Sequence, residues 1–322
     1  MKSDNGKLAT MLAAALLAGR ADGQTVDPVV IDDQTFDRIF PAPTPGQVTV
    51  SMAVGELIVR GWDQDEIEVS GELGEDALRV ELTLDEGQML INVVPVPEGT
   101  EPAYGGETDI FVRMPRQSSL TFSTTDAEGL IAGIHGSQSL HTISGDIETE
   151  IWSGPITAES ASGDLAISNR TGFGAPGEVP NPDLSELDEV VLTTLSGEIE
   201  ARGPFGQLTA STVSGDIELD VANVSMLHLE TSNGDIEVQA TLSAGAEVNA
   251  ETINGDVELD IGEEGNLTLD LGSFSGRIEN CFGYEDLPSS SGSGRELRID
   301  GPDNSPSIRA RTLNGDIEIC AS

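Results

Sequence analysis

The chain has 322 residues, 37 glycines and only 4% aromatic side chains, a composition that suits an all-β or solenoid protein with a thin aliphatic core rather than a helical bundle. Its formal net charge is −42, and no lysine follows Lys7. Nucleic acid and anionic membrane surfaces demand basic patches, so neither is an expected partner.

The N-terminus reads as a signal peptide over residues 1–23. Lys2 and Lys7 give a basic start, Leu8 to Gly19 is an apolar run, and Ala21-Asp22-Gly23 offers small residues before a cut ahead of Gln24. The run is too short to span a bilayer, and no cysteine follows it to carry a lipid anchor. The mature protein is therefore expected to be exported (periplasmic, cell-surface or secreted), without a transmembrane anchor after cleavage, where a disulfide is permitted. Residues 24–46, with their PAPTPG stretch, read as a flexible lead-in. Residues 47–122 alternate in short strands such as QVTVSMAVGELIVRGW, EIEVSGEL and DIFVRMP, an N-terminal β-strand section. From 123 to 322 the chain repeats, with a Gly/Pro/acid insertion loop at 171–189 and a C-terminal cap at 281–322 that ends in a last copy of the repeat.

The repeat is anchored on Gly145, Gly163, Gly197, Gly215, Gly234, Gly255, Gly276 and Gly315, with SGPIT at Gly154 as a weaker copy. Ser or Asn stands one residue before each anchor, and Thr or Ser three before. Aliphatic residues fall mostly five and seven before and two and four after. These are two period-2 strands whose inward phase switches at the glycine. A phase switch needs a corner, and a corner usually needs positive φ, which glycine tolerates. Spacings of 18, 19, 21 and 21 residues between Gly197 and Gly276 give one rung of two strands plus turns. Such a unit cannot bury its face alone, so rungs must stack into a β-solenoid, with matching residues in columns about 4.8 Å apart. One column misfits: the residue two before the glycine is often apolar (Ile143, Leu195, Val213, Ile253, Phe274, Leu313) although it is out of phase with its neighbours. It reads either as an earlier start of the bend or as a strip of apolar surface that meets something else.

GELIVRGWDQDEIEVSGEL, the serial [ST]x[SN]GDI[EV] copies, NCFG at 280–283 and the closing TLNGDIEIC together resemble the bacterial putative-adhesin β-strand-repeat family, grouped with the toastrack domains of cell-envelope proteins. The resemblance spans about residues 47–320 and implies an exported β-solenoid; it brings no catalytic residues with it.

Chemistry-bearing residues fall in the same register. Acids stand one and three after the glycines, and Asp216, Asp235 and Asp256 are the candidate ligands of a Ca²⁺ ladder, since hard cations want clustered carboxylates. The bland alternative is a pair of solvated columns; no other cofactor is expected. Cys281 and Cys320 each lie five residues after a repeat glycine. If their rungs are neighbours, the Cα atoms stack near about 4.8 Å, within reach of a disulfide; one intervening rung opens that to roughly 10 Å and forbids it, leaving two thiols. His135, His141 and His228 are scattered, and nearly every acid already has a repeat-based reason to exist. The expected function is accordingly a non-catalytic envelope or secreted scaffold, adhesin-like, presenting an acidic face to an envelope protein or polysaccharide. The rivals are a carbohydrate-active β-helix enzyme and a Ca²⁺-binding module.

Overall fold

In the computed structural model, residues 28–42, 45–85, 87–152, 154–169, 189–262, 267–289 and 294–321 are described. The expected signal peptide and all but Glu189 of the expected insertion loop lie outside them. Every element among the described residues is a β-strand. The chain divides into two compact units, Met1–Gly136 and Ser137–Ser322, a boundary later than the one expected after residue 122.

The first unit comprises β1 (Val29–Ile31), β2 (Thr35–Pro41), β3 (Gln47–Trp62), β4 (Glu66–Glu72), β5 (Ala77–Asp85), β6 (Gln88–Pro95), β7 (Asp109–Pro115) and β8 (Ser119–Ile134). Its organiser is β3, which serves two sheets. The first half pairs in parallel with β6, the second half with β7, and β8 runs parallel along most of its length. The strand bends at Gly55, where φ is +109° and a methyl group would stand 2.0 Å from the Thr108 carbonyl oxygen. Antiparallel pairs extend both halves: β1 on β5 on β6, and β2 on β4 on β7. The strands β1 and β2 correct the expected lead-in. Their alternation buries Ile31, Phe36 and Phe40, and the prolines that suggested a loop lie at its end.

The second unit is the solenoid. Its first strands are β9 (Gln138–Thr142), β10 (Ile147–Ile151), β11 (Ile156–Ser160), β12 (Leu165–Asn169), β13 (Val190–Thr194), β14 (Ile199–Pro204) and β15 (Gln207–Ser211). Then come β16 (Ile217–Asn233), β17 (Ile236–Asn254), β18 (Val257–Ile261), β19 (Thr268–Ser273), β20 (Ile278–Asn280), β21 (Leu287–Pro288), β22 (Arg295–Ile299), β23 (Ser307–Asn314) and β24 (Ile317–Cys320). One parallel ladder runs β9, β11, β13, β15, the second halves of β16 and β17, β23 and β19. The other runs β10, β12, β14, the first halves of β16 and β17, β18, β24 and β20. Aliphatic columns from both meet inside, as in Leu192, Ala210, Leu229 and Ala250 facing Ile199, Ile217, Ile236 and Val257, all essentially buried.

The last rung does not take its turn. β23 and β24 lie between the rung of β17 and β18 on one side and that of β19 and β20 on the other. The chain leaves β20, returns as β22 antiparallel to β19, and only then inserts its final repeat one place back in the stack. The expected cap at 281–322 is thus half cap and half core.

Candidate functional site at the repeat corners

Each corner is built from four motif positions, and stacking gives three of them a backbone partner one rung away. The glycine is required by close approach, not by the positive φ expected. A methyl group at Gly163, Gly197, Gly215, Gly234, Gly255, Gly315 or Gly276 would stand 1.9–2.2 Å from the carbonyl oxygen of the adjoining rung's glycine, and none of these has positive φ. Only the weak copy, Gly154, has φ of +91°.

The Thr/Ser three residues earlier is buried and donates its hydroxyl to that same kind of carbonyl. Thr212 reaches Gly197 at 3.2 Å, Thr231 reaches Gly215 at 3.0 Å, Thr252 reaches Gly234 at 3.1 Å, and Thr312 reaches Gly255 at 2.9 Å. The Asp after the glycine accepts the next rung's backbone N–H on Oδ1. Asp216 takes Asp235 N at 2.8 Å, Asp235 takes Asp256 N at 2.7 Å, Asp256 takes Asp316 N at 2.7 Å, and Asp316 takes Arg277 N at 2.8 Å. The residue before the glycine adds an amide ladder at the C-terminal end, Asn314 to Asn254 at 2.8 Å and Asn254 to Asn233 at 2.9 Å. Sequence reading found these columns without their partners, because a hydrogen bond to the next rung is invisible until the rungs are stacked.

Asp216, Asp235 and Asp256, the residues expected to form a Ca²⁺ ladder, do share a column, and each commits one oxygen to a backbone N–H of the next rung. Among the described residues, the three acids whose carboxylates all lie within 4.8 Å of one another are Glu198, Glu200 and Glu218. Glu198 replaces Asp in the corner column and makes no bond to Asp216 N of the kind its neighbours make. Burial, then the charges of Glu200, Asp164, Glu218 and Asp216, hold its carboxyl above the ordinary range. Arg202 answers part of that charge, 2.9 Å from Glu200 and 3.7 Å from Glu218.

Cys281 and Cys320 form a disulfide with Cα atoms 4.8 Å apart. The equal offset from Gly276 and Gly315 puts them on adjacent rungs, and the insertion makes those rungs adjacent. The inserted rung is also held by charge: Arg311 pairs with Asp270 at 2.7 Å on one neighbour, and Arg309 with Glu251 at 3.6 Å on the other. The histidines stay apart. His141 lies 3.3 Å from Glu159, His228 lies 3.3 Å from Glu230, and His135 belongs to the first unit. Trp62 donates Nε1 to the Glu66 carbonyl at 2.8 Å with Arg113 over its ring, and Trp152 is half-buried just after β10.

Parallel two-strand rungs, glycine corners and inter-rung Thr and Asp bonds define a β-solenoid whose motif residues build the stack itself. The chain belongs to the Toastrack DUF4097 family, whose model matches residues 63–320. No curated protein matches it. Solved structures similar to it include the following. A "putative adhesin" from Bacteroides fragilis is 10% identical, with 88% of this chain and 96% of that one covered and a TM-score of 0.40. A "putative adhesin" from Parabacteroides distasonis is 7% identical, covering 90% and 98%, at 0.36. A "putative lipid binding protein" from the same organism is 12% identical, covering 91% and 98%, at 0.39. No helix among the described residues is long and apolar enough to cross a membrane.

Proposed function

We propose that the protein is an exported, non-catalytic scaffold, adhesin-like, that presents an acidic solenoid surface to a cell-envelope protein or polysaccharide. The observation that carries this reading is the use of the polar motif: Thr, Gly and Asp of the corner are consumed by inter-rung bonds, so their recurrence needs no substrate. A glycosidase needs two carboxylates flanking one bond. A hollow beside the exposed aromatic Tyr284, about 100 Å³, is lined by Leu267, Leu269 and Phe282 and offers the single carboxylate Asp300. A disulfide between outer positions agrees with an extracytoplasmic home. The reading requires no cofactor.

The test incubates the purified protein with a panel of envelope polysaccharides and peptidoglycan, scoring retention and release of reducing ends separately, while a fusion to a reporter active only outside the cytoplasm scores export. Retention without cleavage, together with reporter activity, is the expected result. New reducing ends that disappear in an Asp300→Asn variant would replace the scaffold by an enzyme.

A further inference from the structure

One corner position keeps an apolar side chain that the stack does not bury: the residue two before each glycine, whose backbone alone is bonded between rungs. Ile143, Leu195, Val213, Ile253, Leu313 and Phe274 are 43–54% exposed, although the column is flanked by polar residues on every rung. Strand register places them in one file along the solenoid edge, in that order, with Ala161 after Ile143 and Ser232 after Val213 as the small members. Eight rungs at about 4.8 Å give a ridge roughly 34 Å long. Ala161 and Ser232 notch it three rungs apart. Self-stacking along the file already covers part of each side chain, and about half still faces water. An apolar ridge of that length, interrupted by one polar member at Ser232, is the kind of exposed apolar surface that marks a contact site.

Charge selects the occupant. On one side, past the Ser/Asn column and the glycine, the next column along the chain is the corner acid column, broken only by Arg277 on the terminal rung. On the other flank, Glu159, Glu230 and Glu251 outnumber Arg311. A second copy of a chain carrying −42 would bring like columns together, and an anionic bilayer would be repelled in the same way. We propose that this ridge is a docking rail for a polypeptide segment of another protein that carries an apolar row flanked by Lys and Arg. The proposal goes beyond the scaffold reading and does not depend on export or on polysaccharide binding.

The test uses the disulfide-bonded protein and two synthetic 18-residue peptides of equal positive charge, one an amphipathic Leu/Lys sequence and one with Ser in place of Leu, with affinity read by fluorescence anisotropy. The Leu/Lys peptide should bind and weaken with added salt, and the Ser/Lys peptide should bind at least tenfold more weakly. The double variant Ile253→Ser/Leu313→Ser should lose binding at least tenfold, whereas Glu237→Gln/Glu258→Gln, which removes two charges from the outer sheet face, should change it less than threefold. Unchanged melting temperatures establish that the variants are folded, and Ile143→Thr/Val213→Thr serves as the second ridge variant should the first unfold. Equal binding by both peptides, or ridge variants that bind like wild type, would reduce the effect to non-specific charge. Concentration-dependent dimers in sedimentation that vanish in the ridge variants would assign the rail to a second copy instead, and binding only to zwitterionic vesicles would assign it to lipid.

Discussion

At the scale of single residues, the corner separates two roles that glycine can play. Gly283 has φ of +76° and open space around it, so Gly283→Ala meets only backbone strain, about 1 kcal/mol. Gly234→Ala drives a methyl group to 2.0 Å from the Gly215 carbonyl oxygen, so the rungs must part. The expected loss is at the upper end for point substitutions, about 3 kcal/mol or more, read as a lower urea midpoint than that of Gly283→Ala. The Asp column gives a sharper contrast. Asp235→Asn keeps an oxygen for Asp256 N and removes one charge from a file of like charges, so stability at low salt should be equal or higher. Asp235→Ala leaves that N–H without its acceptor and should lose about 1–2 kcal/mol. If both variants unfold alike, the column does not act through this bond.

At the scale of elements, the inserted rung is held by several different means. β23 and β24 reach their slot across β19, carry Arg309 and Arg311 to acids on opposite sides, and end at the disulfide. Asp270 reports this balance: burial alone would raise its carboxyl, but the hydrogen bond and charge of Arg311, then Arg298, pull it below the ordinary range. Closing a loop between residues 39 apart constrains the unfolded chain by up to about 4 kcal/mol in the entropic account. Cys281→Ser/Cys320→Ser is therefore expected to lose about 2–4 kcal/mol. Hydrogen exchange should rise first in β19, β20, β23 and β24, the terminal rungs, while β13 to β16 stay protected. Uniform loss of protection across the solenoid would show one cooperative unit instead.

Over the whole molecule, like charge sets the response to pH and salt. Glu56, Glu198 and Glu258 are raised, by burial first and by neighbouring carboxylates second. A carboxyl whose folded value is raised carries a penalty that is absent below its unfolded value, near 4.5, and sets in as pH climbs through the folded value. Asp270, Asp286 and Asp316 are lowered, so their contribution is present above 3.8 and disappears as pH falls through their folded values. At low ionic strength the melting temperature should thus rise on acidification from neutrality toward the glutamate range and then fall in stronger acid. Stability that declined steadily from pH 7 downward would contradict this. Added NaCl should stabilise at neutral pH by screening, and CaCl₂ at matched ionic strength should do no more. An excess with Ca²⁺ that Glu198→Gln abolishes would identify the Glu198, Glu200 and Glu218 cluster as a site.

The sequence alone determined the all-β class, the rung, its glycine anchors and the equal offset of the cysteines, because period-2 alternation and a repeated corner are local properties written in every copy. It also marked the apolar file two before the glycine as out of phase. It misjudged residues 29–41, where burial of Phe36 and Phe40 outweighed the neighbouring prolines. Only the tertiary structure decided why the corner is glycine, what Thr and Asp bind, and where the last rung lies. Each of those depends on which backbone comes to rest about 4.8 Å away. Repeats with one local pattern are equally good neighbours for one another, so their order in the stack is settled by long-range contacts: Arg311 on Asp270, Arg309 on Glu251, and the bond from Cys281 to Cys320.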